Sequence, residues 1–136
     1  MSIDRLDQAI AAAQAAMRIE AEALQSAAAR LNGGLSQAVS LLVANPGKIV
    51  VSGMGKSGYI AQKIAATFSS TGSPAIFLHP ADAVHGDLGV YTPGDPTILI
   101  SKSGSTVELL RLIPILREFR SPLIGILGNS NSALAR

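Results

Sequence analysis

The 136-residue sequence contains no cysteine and no tryptophan. The first absence removes disulfides, thiolate nucleophiles and cysteine-based zinc sites together, and it fits a reducing compartment. Aromatic residues make up only 4%, too few to build a stacking platform for a single nucleic-acid strand. Charge is also scarce: 15% of residues are charged, the formal net charge is +2, and no long run of Lys or Arg occurs. That small excess of base is not a nucleic-acid-binding stripe. No apolar stretch approaches the roughly 18 residues that span a bilayer. The N-terminal MSIDRLDQAI lacks the basic region and apolar core of a secretory signal. The sequence therefore reads as soluble and cytoplasmic, with no nucleic-acid and no membrane partner. What it does have is 48% apolar residues, which excludes a disordered tail, in a length that suits one domain or a piece of one.

The first third is rich in Ala, Glu, Gln and Arg, good helix formers, and predicts a helix from Ile3 to Leu31. Ile3, Ile10, Met17, Leu24 and Leu31 recur every seven residues; Leu6, Ala13 and Ala27 supply the alternate seam, and Glu20 interrupts it. Such a stripe suits close helix-on-helix packing. It could lie on its own domain, but its length favours a contact between copies in a dimer or tetramer. Asn32-Gly33-Gly34 breaks the helix, and a second runs from Leu35 to Ala44 before Asn45-Pro46-Gly47. Residues 1–46 are thus expected to pack and to assemble a homo-oligomer, and residues 47–136 to form the ligand-binding domain.

From Lys48 the pattern changes. Strands are predicted at Lys48–Ser52, Ala75–Leu78, Thr97–Ile100 and Leu123–Leu127. Helices are predicted at Tyr59–Ser70, with Ile60, Ile64, Ala65 and Phe68 on one face, and at Val107–Arg120, where Pro114 predicts a kink or register change. His79 to Asp95 reads as polar and irregular, and Ser132 as a helical start. Apolar strands alternating with helices mean βαβ units and a parallel sheet covered on both faces. In such a sheet, ligands bind beyond the carboxyl ends of the strands, where the strand order reverses. For the flavodoxin-like order 2-1-3-4, that place lies between the first and third strands, the two followed by glycine- and serine-rich loops.

The first loop, Gly53-Met54-Gly55-Lys56-Ser57-Gly58, matches the dinucleotide fingerprint G-x-G-x-x-G in form. It lacks the acid expected at the end of the second strand, which here reads Phe77-Leu78-His79-Pro80. It is not a P-loop either, because the required glycine five positions before Gly55 is Val50. Either it is a plain tight turn with a surface lysine, or its backbone N–H groups, Ser57 and Lys56 approach an anion. The second loop, Ser101-Lys102-Ser103-Gly104-Ser105-Thr106, puts four hydroxyls and a glycine directly before a helix. Helix N-termini carry unpaired N–H groups and partial positive charge, so this is a phosphate site that needs no metal, or else a solvated turn with redundant caps. Two such loops at adjacent strand ends favour a phosphorylated ligand.

Glu108 has two readings. Ser105-Thr106-Val107-Glu108 is a capping-box sequence, which would leave the glutamate only a structural role. Alternatively, its carboxylate stands one turn beyond the phosphate loop and abstracts a proton next to a carbonyl. His79, Asp82, His85 and Asp87 cluster in sequence, but their spacing matches no compact metal-ligand motif. His79 reads as structural, and His85 as an exposed imidazole able to work near neutral pH.

These residues together resemble the SIS (sugar isomerase) domain, and more specifically the KpsF/GutQ-type arabinose 5-phosphate isomerases. The matching stretches are VVSGMGKSGYIAQKIAATFSSTGSPAIFLHPADAVHGDLGVYTPGD, SKSGSTVEL and SPLIGILGNSNSALAR. The resemblance implies a three-layer, flavodoxin-like parallel sheet and a tetramer. It also implies interconversion of D-ribulose 5-phosphate and D-arabinose 5-phosphate, a precursor of the Kdo sugar of Gram-negative envelopes, with no cofactor and no metal. Carried over residue by residue, it gives Ser57, Ser101, Ser103 and Thr106 to the phosphate, and Gly55, Lys102, Gly104 and Ser105 to the substrate loops. Lys56, His85 and Glu108 match the family's active-site lysine, histidine and glutamate.

Two departures make the second loop less negative: Lys102 replaces an Asn or Gln, and Ser105 replaces a frequent Glu. Family domains also continue through a fifth strand, a Ser/Thr-rich loop and a second histidine, so the resemblance implies a SIS domain incomplete at its C-terminus. Two functions are then expected in competition. One is a metal-independent aldose–ketose isomerase working through an enediol. The other is a non-catalytic phosphosugar-binding module with a regulatory or assembly role.

Overall fold

The computed structural model describes residues 3–136, with the side chain of Ile3, the first member of the heptad stripe, outside the described set. The chain divides into two units, Met1–Gln37 and Ala38–Arg136. In the first, Ile3–Ala29 forms α1, a single helix of 27 residues. Its apolar stripe is uncovered: Leu6, Ile10, Met17 and Leu24 are all exposed. The Gly34 N–H donates to Asn32 Oδ1 (2.9 Å), a side-chain cap at the entry to α2, Gly33–Ala44.

The second unit is built on β1 (Ile49–Gly53), α3 (Lys56–Ser70), β2 (Ala75–Phe77), α4 (Pro80–Val84), β3 (Thr97–Ser101), α5 (Val107–Glu118) and β4 (Leu123–Leu127). The four strands are all parallel, in the order β2-β1-β3-β4. Central β1 and β3 are buried along their whole length, which explains their unbroken apolar runs. Side chains alternate between two faces. Val50 and Leu99 join Leu109, Leu112 and Leu116 of α5, with Ala83 and Tyr91, in one core. Ile49, Val51, Ile98 and Ile100 join Ala61 and Ala65 of α3 in the other, with Leu42, Ile64 and Phe68 packed on it. The result is the three-layer α/β sandwich that the alternating pattern predicts.

Two local expectations are corrected. The His79–Asp95 stretch is not irregular throughout, because α4 and a 3-10 turn at Asp87–Val90 lie within it. Pro80 at the first helical position supplies a preset φ and lacks an N–H that would have had no partner there. On α3, Ile64, Ala65 and Phe68 face the sheet as expected, but Ile60 is exposed and Ala61 is buried with Ala65; two alanines let the helix sit close to the sheet. Helix α5 runs through Pro114, which lies on its exposed side.

At the amino ends of β1 and β3 a buried polar cluster ties the sheet together. Asp95, 2% exposed, accepts hydrogen bonds from Lys48 Nζ and the Thr92 N–H (2.7 Å). Tyr91 OH, Thr97 Oγ1 and Ser121 Oγ form a chain (3.0 and 2.7 Å) ending on the Asp95 carbonyl. Burial pushes the Tyr91 phenol up to about 12; the bond to Thr97 opposes the rise and the Asp95 charge adds to it.

Candidate functional site

The connections from β1 and β3 leave in opposite directions: α3 packs on the Val51 face of the sheet and α5 on the Val50 face. The strand order therefore reverses between β1 and β3, and the carboxyl ends of these two strands are where a sheet of this kind binds its ligand. Both loops singled out in the sequence lie there.

In the first loop each glycine has a separate reason. Gly55 adopts φ 54°, a backbone conformation that L side chains resist. Gly53 and Gly58 allow contact between strand and helix: a Cβ on Gly58 would fall 2.7 Å from the Gly53 carbonyl oxygen, and one on Gly53 would fall 2.9 Å from the Ser57 carbonyl group. This close approach brings the N-terminus of the 15-residue α3 to the sheet end, with Lys56 exposed and Ser57 half-buried in its first turn.

The second loop sorts its hydroxyls into two kinds. Ser101, buried at the end of β3, shares a hydrogen bond with Thr106 (2.9 Å) and accepts one from the Gly104 N–H (2.9 Å). These two hydroxyls brace the loop. Ser103 and Ser105 are exposed, as is Lys102, and the Ser105 N–H donates to Ser103 Oγ (3.2 Å). Gly104 is buried at φ 65°.

The capping-box reading of Glu108 is not realised. The residue that caps α5 is Thr106, not Ser105, and it makes no side-chain cap bond because its hydroxyl is turned to Ser101. That shift of one residue puts Glu108 at the second helical position, out of capping-box register. The residue is half-buried and its carboxylate, among the described residues, has no hydrogen-bond partner.

Beyond β2, His79 caps the entry to α4. Its ring meets Phe77 edge-on with centroids 6.2 Å apart, and its Nδ1 lies 3.8 Å from Asp82 Oδ2, beyond hydrogen-bond reach. His85 stands exposed at the other end of α4, beside Gly86 with φ 135°. Among the described residues no three His, Asp or Glu side chains come together as a metal-ligating group.

One element of the site escaped the sequence reading. The segment after β4 packs on the second loop: the Gly128 N–H donates to the Ser101 carbonyl (3.1 Å) and the Leu134 N–H to the Gly104 carbonyl (2.9 Å). In the sequence, Gly128-Asn129-Ser130-Asn131 signals only a turn.

The SIS domain profile matches residues 42–136, most of the chain. The chain belongs to the SIS domain family. It is 49% identical over 118 residues to the arabinose 5-phosphate isomerase KpsF of Escherichia coli O6:H1, covering 86% of this chain and 36% of that protein. It is 44% identical over 127 residues to the arabinose 5-phosphate isomerase KdsD of Pseudomonas aeruginosa, covering 93% of this chain and 39% of that protein. This SIS chain thus spans well under half the length of the curated relatives it matches. A solved structure of an Escherichia coli CFT073 protein in complex with arabinose 5-phosphate superposes with a TM-score of 0.89 at 38% identity. It covers 99% of this chain and 70% of that one. Among the described residues no helix is long and apolar enough to cross a membrane.

Proposed function

We propose that the chain carries the phosphosugar site of an aldose–ketose isomerase that interconverts D-ribulose 5-phosphate and D-arabinose 5-phosphate. The observation that carries this reading is the unpartnered, half-buried Glu108 beside a hydroxyl-rich helix N-terminus at the topological switch point. The substrate phosphate sits at the N-termini of α3 and α5, where free N–H groups and the helix dipoles favour an anion. Ser57 and Ser103 turn hydroxyls to it, and Ser101 and Thr106 set the loop. Gly55, Gly104 and Ser105 shape the approach, and Lys102 adds positive charge.

With the phosphate held there, the sugar carbons extend past Glu108. Its carboxylate takes the proton from C1 of ribulose 5-phosphate and returns it to C2, while the O1 proton moves to O2 through the enediol. Lys56 offsets charge developing on oxygen, and His85 exchanges protons at oxygen or assists ring opening. The names of the relatives support this substrate, and so does the complex of the Escherichia coli protein. A cysteine-free chain and a phosphorylated substrate both fit the cytoplasm. Residues 1–46 serve in assembly, through the uncovered stripe of α1.

The test is Glu108→Gln. Affinity for the pentose phosphate and the melting temperature are expected to stay near those of the unmutated protein. Turnover, or exchange of the C1 and C2 hydrogens with deuterated water, is expected to fall by about 10²–10⁴-fold. Undiminished exchange in the glutamine variant removes Glu108 from the chemistry. Binding without any exchange in the unmutated chain favours the non-catalytic module.

A further inference from the structure

Ser132 is 4% exposed, and its Oγ is fully buried with no hydrogen-bond partner among the described residues. A buried hydroxyl without a partner is a standing cost, so one that persists calls for a reason. Its position is specific. A Cβ on Gly104 would fall 2.0 Å from Ser132 Oγ and 2.4 Å from Ser132 Cβ, so the serine lies directly against the centre of the Ser101–Thr106 loop. The same segment already holds that loop by its backbone, through Gly128 N–H to the Ser101 carbonyl and Leu134 N–H to the Gly104 carbonyl. Among the described residues the other buried hydroxyls, at Ser52, Tyr91, Thr97, Ser101 and Ser121, are all paired.

We propose that Ser132 is a positioning residue for the phosphate loop, one whose hydroxyl is unpaired in the free protein and donates to a loop carbonyl once the loop has settled on a phosphate group. Gly104 at φ 65° is the point where the loop can adjust, because it carries no side chain to collide with Ser132. The unpaired hydroxyl penalises the free arrangement and its pairing favours the bound one, so Ser132 contributes to affinity without touching the ligand. This inference rests on the reading of the Ser101–Thr106 loop as the phosphate site.

The experiment compares the unmutated chain with Ser132→Ala and Ser132→Cys, the second keeping the shape with only a weak donor. Binding of inorganic phosphate and of arabinose 5-phosphate is measured by calorimetry under reducing conditions, with melting temperatures alongside. The expected result is that both variants bind each ligand about five- to tenfold more weakly, the factor one hydrogen bond carries, while melting at or above the temperature of the unmutated chain. Affinity unchanged in both variants overturns the proposal. So does normal affinity in Ser132→Cys with loss only in Ser132→Ala, since shape alone then matters. An unmutated chain that binds phosphate but not the sugar phosphate refutes the substrate assignment and leaves the phosphate comparison decisive for Ser132. Binding of neither ligand overturns both.

Discussion

Thr106 and Glu108 sit two positions apart on one helix, and a single hydrogen bond separates their roles. Thr106 holds the N-cap position of α5, but its hydroxyl turns to Ser101 and makes no cap bond, and the helix starting at Val107 leaves Glu108 one position short of capping-box register. Sequence alone presents Ser105-Thr106-Val107-Glu108 as a cap, since local pattern cannot tell which of two adjacent hydroxyl residues leaves the helix first. Tyr91 gives the converse case, a polar group that is wholly structural. Its phenol is raised from 10.0 to about 12, chiefly by burial. Folding favours the protonated phenol, so its contribution is intact below pH 10 and is lost as pH rises from 10 toward 12. At about 1.4 kcal/mol per unit, the loss is roughly 2–3 kcal/mol. Urea denaturation at about pH 9 and pH 11.5 is expected to show that decline in the unmutated protein and a smaller one in Tyr91→Phe.

The corner between β1 and α3 decides how close the N-terminus of that helix comes to the sheet. Gly58 is a helical position where propensity alone favours alanine by about 1 kcal/mol. The fold reverses that preference, because the added Cβ would meet the Gly53 carbonyl oxygen at 2.7 Å, and both partners are backbone. Overpacking of that kind typically costs about 1–3 kcal/mol. Set against the propensity gain, Gly58→Ala is therefore expected to destabilise the protein by up to about 2 kcal/mol in chemical denaturation and to weaken phosphosugar binding as α3 shifts outward. Gly55→Ala has open space around it, but at φ 54° and ψ −125° it lies outside the left-handed helical region and meets a backbone penalty of about 1–3 kcal/mol. If Gly58→Ala stabilises the chain instead, propensity has won and the close approach is not a constraint.

At the largest scale, α1 carries a long exposed apolar stripe. Leu6, Ile10, Met17 and Leu24 line one stripe of a 27-residue helix and are all exposed. Burying each such side chain is worth about 1.5–3 kcal/mol, enough in sum to drive association of copies. Met17→Glu combined with Leu24→Glu is expected to shift the species seen by light scattering toward monomer while leaving the far-ultraviolet helical signal in place. An unmutated protein that is monomeric at micromolar concentration disproves this role for the helix.

Much of this architecture was legible in the residues because it depends on near neighbours. β-branched runs between glycine turns mark the four strands, and alternation with helices fixes a parallel sheet. The loops Gly53–Gly58 and Ser101–Thr106 stand out because glycine and hydroxyl residues gather directly before a helix, after two adjacent strands. What only the tertiary structure decided depends on how segments meet in space, some a few positions apart and some many. The pairing of Ser101 with Thr106 needed the loop closed, and the Gly53–Gly58 contact needed the helix laid on its strand. The seat of Ser132 against Gly104 joins segments 28 positions apart, and the Asp95 tie to Lys48 spans 47. Local pattern sets which conformations each segment favours; which hydroxyl is braced, which is orphaned and which carboxylate is left free follow only when distant segments meet.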